Sequence, residues 1–236
     1  MRKPDVDVSI ILTAHREGVL SGATARSALV AVERAKAKAN LACEFVVVLD
    51  NSDDLTERTL REALVGTRVN FLHTTTGDPG CARNAGVVRA EGRISTFLDA
   101  DDLWSENWIV EGVERISNRP DAVFHSACNV MFGDVHNLWW HIDSEGLFFD
   151  PVYLEWGNYW DSMSMALTEI YRLYPFEPND LKLGYGHEDW HWNALTIAAG
   201  VPHKPVLNTA HFKRRRPGSQ MALVDKAGGV RRPLSA

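Results

Sequence analysis

An α/β fold built on an open, mostly parallel twisted sheet with flanking helices is what this 236-residue sequence predicts. Two observations carry the prediction. Short β-branched apolar runs alternate with longer segments of helical period through the first half, the pattern of parallel strands joined by crossover helices. Most of those runs also stop at polar clusters, and in open α/β sheets the carboxyl ends of the strands are where ligands collect.

The strands are expected at VSIILTA (8–14), EFVVVLD (44–50), VNFLH (69–73), ISTFLD (94–99) and AVFHSACNVM (122–131). Each is short, apolar and rich in Val, Ile or Phe. Between them, 23–40, 56–66, 80–90 and 105–118 read as helices, the first rich in Ala, Lys, Arg and Glu, all good helix formers. The strand ends bring His15, Arg16 and Glu17, then Asp50 to Asp54, then Asp99 to Asp102 onto one expected rim. After about residue 132 the alternation is lost, and six of the eight tryptophans fall between 139 and 192, which suggests a lid or second pocket continuous with the first half.

Composition sets the outer limits. A hydrophobic content of 45% with 24% charged residues suits a water-soluble globular protein with a substantial core. The formal net charge of −6 argues against a nucleic-acid-coating protein, although 213–232 is locally basic. Three widely spaced cysteines form no C-x-x-C pair, so neither a disulfide framework nor a zinc site is expected. No signal-peptide or membrane-spanning run is apparent, and a cytoplasmic location is expected, with peripheral contact at the inner face of a membrane left open.

Four clusters carry candidate chemistry. Asp99, Asp101 and Asp102 crowd carboxylates behind an apolar strand. Hard oxygen ligands of this kind suit Mn²⁺ or Mg²⁺ bridging to phosphate, or alternatively an Asp-rich turn capping the next helix. GDPGCARNAG (77–86) places a Gly-Pro entry before a helix carrying Arg83, an arrangement that suits an anion or is simply a helix start; no Rossmann or P-loop glycine motif is present. GYGHEDWHW (184–192) packs His187, Glu188, Asp189 and His191 among aromatics, an expensive grouping for a core and an unusual one for a plain surface. HFKRRRPGS (211–219) carries His211 and four consecutive cations, which fit a solvated basic run, a further metal ligand, or arginines against a diphosphate.

Taken in order, VSIILTA, EFVVVLDNSDDLT, ARNAG followed by AEGRISTFLDADD, GYGHEDW and HFKRRRPGS resemble the family-2 glycosyltransferases, from about Val8 to Ser219. The resemblance implies a GT-A fold with a Rossmann-like nucleotide-sugar-binding half (1–131), an aromatic-rich acceptor half (132–219) and a C-terminal tail (220–236) in one domain. It implies transfer with inversion from a nucleoside-diphosphate sugar, a UDP-sugar by expectation, to a hydroxyl of a carbohydrate or lipid-linked acceptor. Polysaccharide or glycolipid assembly is the expected setting.

Position by position, the resemblance puts Ala14, His15, Glu17, Asp50, Arg83, Asp99, Ala100 and Asp101 at the nucleotide sugar. Asp101, Asp99 and His211 fall at a divalent metal, Mn²⁺ or Mg²⁺. Asp189 is then the catalytic base, with Glu188 beside it. Trp139, Trp140, Trp156, Trp160, His187 and Trp192 are acceptor candidates, because tryptophan faces pack on sugar C–H faces. The sequence departs from the family pattern in two strand ends: Thr13-Ala14-His15-Arg16-Glu17 replaces a Pro-x-x-Asn-like turn, and Leu49 leaves Asp50 as a single acid. It also lacks the Q-x-x-R-W motif of processive synthases, which implies addition of one or few sugars. A haloacid-dehalogenase-type phosphatase is disfavoured because the first strand ends without Asp. Glu188 and Asp189 are adjacent and poorly placed to flank a glycosidic bond as a hydrolase requires. The remaining alternative is a nucleotide- or carbohydrate-binding module with a decayed active site.

Overall fold

The computed structural model describes residues 5–234. In chain order it contains β1 (Val8–Ala14), α1 (Leu20–Ala39), β2 (Cys43–Asp50), α2 (Asp54–Ala63), β3 (Val69–Thr74), α3 (Pro79–Arg89), β4 (Ile94–Asp99), β5 (Leu103–Trp104), α4 (Trp108–Asn118), β6 (Val123–Gly133) and β7 (Asn137–Trp140). It continues with β8 (Ser164–Leu167), α5 (Thr168–Leu173), β9 (Tyr185–Gly186), α6 (Glu188–Ala198), β10 (His203–Arg215), α7 (Gln220–Lys226) and β11 (Val230–Arg231). The main sheet runs β3-β2-β1-β4-β8-β6-β10-β5, with β7 paired to β6.

β1 lies at the centre of the first half because it is apolar on both faces. It pairs in parallel with β2 on one side and β4 on the other, and Ile10, Ile11 and Leu12 are fully buried, each burial contributing roughly 1.5–3 kcal/mol. α1 covers one face through Ala25, Ala28, Ala31 and Ala35, a stripe of small residues at helical spacing that lets the helix settle close to the sheet. On the other face α3 approaches more closely still. A Cβ on Gly86 would lie 2.3 Å from Ile11 Cγ2, so glycine is needed where the helix crosses β1.

The second half does not form a separate layer. β8 inserts antiparallel between β4 and β6, and β10 runs parallel to β6, so one sheet passes through both halves. The side chains that fill it are the ones that made its sequence look irregular. Trp160 stacks against His125 and donates its indole N–H to the Ile142 carbonyl, while Trp192 lies flat on Tyr171 and Phe176. At the C-terminal end β11 pairs with β9, and buried Val224 of the α7 region closes over Gly186. Among the described residues no helix is long and apolar enough to cross a membrane.

Candidate active site

The carboxyl ends of β1, β2 and β4 do open onto a common cleft of about 620 Å³, at the switch point where crossovers leave the sheet on opposite sides. Thr13, Ala14, His15, Glu17, Asp50, Arg83, Asp99, Ala100 and Asp101 line it, joined by His187, Glu188 and Asp189 from the start of α6 and by Trp139 from β7. Residues separated by more than 170 positions in the chain therefore share one cavity.

Each wall has a local cause. Asp50 ends β2 buried, and its Oδ1 accepts from the Thr74 hydroxyl at 2.9 Å and the Thr76 N–H at 2.7 Å, so the carboxylate is fixed at the rim. The His15 ring nitrogen Nδ1 lies 2.6 Å from the Asp50 carbonyl, and the His15 N–H donates to Glu17, whose carboxyl burial pushes above its usual range. Asp78 caps α3 by accepting from Cys81 N–H and also holds Asn179. This helix start is thus closed by the protein's own carboxylate, and the sequence reading of it as an anion site gains no support from the geometry.

Asp99 to Asp102 do not cap a helix either, since α4 begins only at Trp108 and β5 intervenes. They meet cations instead. The Arg83 guanidinium, 3% exposed, reaches both oxygens of Asp99 at 3.1 and 3.2 Å through Nη2 and Glu188 Oε1 at 2.9 Å through Nη1. One side chain thereby ties the end of β4 to the start of α6. Burial alone would raise Asp99, but Arg83, Lys213 and the Thr13 hydroxyl hold it down at about 2. Lys213 Nζ sits 3.3 Å from Asp161, 3.4 Å from Asp102 and 3.8 Å from Asp99, and these acids raise its pKa against the effect of burial. Asp102 is pushed up to about 7 by burial, with Lys213 opposing and Asp99 and Asp101 reinforcing.

Asp189 differs from its neighbour. Glu188 is fixed between Arg83 and the Asn179 amide, whereas Asp189 has its Oδ1 on the Trp190 N–H at 2.7 Å and otherwise faces the cleft. Burial and the Glu188 charge push it up to about 7, against Arg83 and Lys213. The preceding His187 holds the left-handed conformation at φ 59°, an uncommon geometry for a non-glycine residue and one that concentrates at functional sites. A carboxyl half-ionised near neutrality and open to a cavity suits a general base.

Several expected residues lie elsewhere. His211 is fully buried between Trp104 and Trp108, its ring 4.6 Å from that of Trp108, and burial pushes it down to about 3. The imidazole expected at a metal lies on the same face of β10 as Lys213 but one pleat deeper, covered by the two tryptophans, and it does not line the cleft. Trp160 and Trp192 are core residues, at 0% and 1% exposure, because their flat faces fill the space under β6 and α6. Trp140 and Trp156 are exposed at 63% and 81% but lie outside the cleft. Of the expected tryptophans only Trp139 lines it. Sequence reading missed Asp161, Lys213 and Trp190. Asp161 and Trp190 carried no signal beyond residue type, and Lys213 was hidden within a run of four cations.

The sequence profile described as glycosyl transferase family 2 matches residues 9–192. The chain belongs to this family. A protein of Rickettsia bellii (strain RML369-C) named an uncharacterized glycosyltransferase is 25% identical over 109 residues, which is 46% of this chain and 14% of that protein. S. aureus TarS 1–349 in complex with UDP-GlcNAc superposes with a TM-score of 0.62 at 16% identity, over 92% of this chain and 61% of that one. The mannosyltransferase PcManGT from Pyrobaculum calidifontis, in complex with GDP-Man and Mn²⁺, gives 0.63 at 16% identity, over 94% and 63%. These neighbours are GT-A glycosyltransferases, and the fold of this family-2 chain is of that type. The chain spans about three fifths of their length.

Whether a divalent ion of the kind bound to that mannosyltransferase fits this cleft depends on the donor set. Among the described residues no group of three or more His, Cys, Asp or Glu side chains is arranged to hold a metal. Asp99 is taken by Arg83 and Thr13, and His211 is sealed in the core. Asp101, which faces the cleft, already meets Arg216 Nε at 3.1 Å and Arg214 Nη1 at 3.5 Å. An added ion would have to displace both guanidiniums, so the residues present do not fit it.

Proposed function

We propose that this family-2 glycosyltransferase moves a sugar from a nucleoside-diphosphate sugar, preferably a UDP-sugar, to an acceptor hydroxyl by a single displacement that inverts the anomeric centre. The observation that carries the proposal is the Arg83 bridge, which links the aspartate ending β4 with the Glu188–Asp189 pair across one cleft. It supports a donor region and a proton acceptor facing the same reacting atom. That solved neighbours of the same fold hold UDP-GlcNAc or GDP-Man supports a nucleotide-sugar donor.

In this reading the base and ribose lie along Asp50, Thr76 and the 15–17 turn, and the sugar lies between Asp101 and Asp189. The acceptor enters past Trp139 and Trp190. Asp189 takes the acceptor proton as the oxygen attacks the anomeric carbon, while Glu188 stays paired with Arg83 and sets the pitch of α6. General-base assistance of this kind is worth about 10²–10⁴ in rate. Because the donor set does not fit a divalent ion, no step is assigned to one. A carbohydrate or lipid-linked acceptor in polysaccharide or glycolipid assembly is the setting proposed.

The test is a panel of UDP-, GDP- and dTDP-sugars, with release of nucleoside diphosphate followed by chromatography for the wild type and Asp189→Asn. Release from one nucleotide class that falls at least 100-fold in the variant is the expected result. Equal release by both proteins would remove Asp189 as the base, and binding of nucleotide sugar without turnover under any acceptor would favour the binding-module reading.

A further inference from the structure

The cleft's cations occupy the place in which a metal ion was expected. On one face of β10, His211 is buried under Trp104 and Trp108, and Lys213, two residues farther along, is the group that lines the cleft and meets the acid cluster. Its Nζ lies within 3.8 Å of Asp99, Asp102 and Asp161 together. Beyond it, Arg214 and Arg216 converge on Asp101, and the Arg214 N–H donates to Asp102 Oδ1 at 2.6 Å, which pins the strand end there. Both guanidiniums keep about a third of their surface exposed to the cleft, at 28% and 34%. A guanidinium has five N–H donors, and Arg216 engages Asp101 through Nε while its Nη2 lies 3.8 Å from Glu17, so donors remain for a further anion.

We infer that Lys213, Arg214 and Arg216 serve in place of a divalent cation, Arg214 and Arg216 holding the donor's diphosphate through side-chain N–H groups and Lys213 neutralising the acids behind them, so that transfer proceeds without metal. The inference rests on the nucleotide-sugar reading above and specifies how that donor is held. The planar fork of arginine matches phosphate oxygens, and charge-assisted bonds of this type strengthen as charge develops on them. During transfer the acceptor oxygen bonds to the anomeric carbon and its proton passes to Asp189. The bond from that carbon to the β-phosphate oxygen breaks with its electron pair staying on the phosphate. The added negative charge on the leaving nucleoside diphosphate is then met by Arg214 and Arg216, while Lys213 keeps the acids behind them neutralised.

Calorimetric titration of UDP and GDP into the full chain, in excess EDTA and again in Mn²⁺, tests this directly. One of them should bind in EDTA within about threefold of its affinity in Mn²⁺, since its charge is already matched by the protein. Arg214→Gln and Arg216→Gln should each weaken that diphosphate by about 10- to 100-fold, the range for a charged hydrogen bond, and leave binding of the parent nucleoside unchanged. These exposed-side substitutions keep the test usable if replacing buried Lys213 prevents folding. Where Lys213→Ala does fold, three carboxylates are left facing one point, and the variant should acquire Mn²⁺ binding that the wild type lacks. Loss of nucleotide affinity by more than about tenfold in EDTA would overturn the inference while leaving the donor site standing. Failure of both nucleotides to bind under either condition would overturn the donor reading as well.

Discussion

Asp189→Asn separates chemistry from folding by its pH dependence. The carboxyl is pushed up to about 7, from an ordinary value near 3.8, by burial and Glu188. As a base it must be ionised, so wild-type turnover should rise with pH and level off above about 8, with roughly a tenth of the sites active at pH 6. The amide cannot accept the proton, and turnover should fall by about 10²–10⁴ with the acid limb removed. Stability moves the other way. A folded pKa above the unfolded one costs stability progressively from about pH 4 to about pH 7, because the unfolded chain ionises first. Three units would correspond to about 4 kcal/mol at full burial. Asp189 is half-buried and shares its shift with Glu188, so about 1–2 kcal/mol is expected from removing it. Denaturant unfolding at pH 4 and pH 8 measures this: the variant should match the wild type at pH 4 and exceed it at pH 8. A variant less stable at pH 8, or one that keeps the acid limb, would refute the electrostatic reasoning.

Three further substitutions probe the remaining parts. His211→Phe should leave nucleotide affinity unchanged in the presence of Mn²⁺, because the imidazole is in the core. It should also lessen the loss of stability on acidification from pH 6 to 4 by roughly 1.4 kcal/mol per unit, since a His pushed down to about 3 loses its contribution as pH falls below its unfolded value. Gly86→Ala should destabilise by about 1–3 kcal/mol in denaturant melts, because the new methyl meets Ile11 at the α3 crossing. Trp139→Ala should raise the acceptor KM with little change in melting temperature, whereas Trp160→Ala should cost about 3–5 kcal/mol of stability, which distinguishes the tryptophan at the cleft from the one in the core.

The first half of the fold was legible because its strands are buried on both faces, and VSIILTA or EFVVVLD then has to be written in nearly unbroken apolar residues. The five strands expected up to residue 131 recur within one or two residues, and the polar clusters ending three of them share the cleft. The second half was not legible because aromatic type does not encode direction. Trp139 and Trp160 are alike in sequence, and only the pairing of β7 with β6 and the packing against His125 and His203 send one to the cleft and the other inward. Residue type was equally silent about depth along a strand. His211 and Lys213 share one face of β10, and what separates them is cover: Trp104 and Trp108 close over His211, while Lys213 lies one pleat farther along, at the cleft. The Asp-rich turn was informative about where charge gathers and silent about which cation answers it.

The central claim is that the cleft at the ends of β1, β2 and β4 holds a nucleoside diphosphate. Hydrogen exchange of the full chain with and without saturating UDP or GDP tests it most directly. With one of the two, the account predicts slowed exchange at 74–83, 99–104 and 213–219, and unchanged exchange in α1 and α4 on the far face. Absence of protection with both nucleotides, or protection confined to segments outside that cleft, would contradict it.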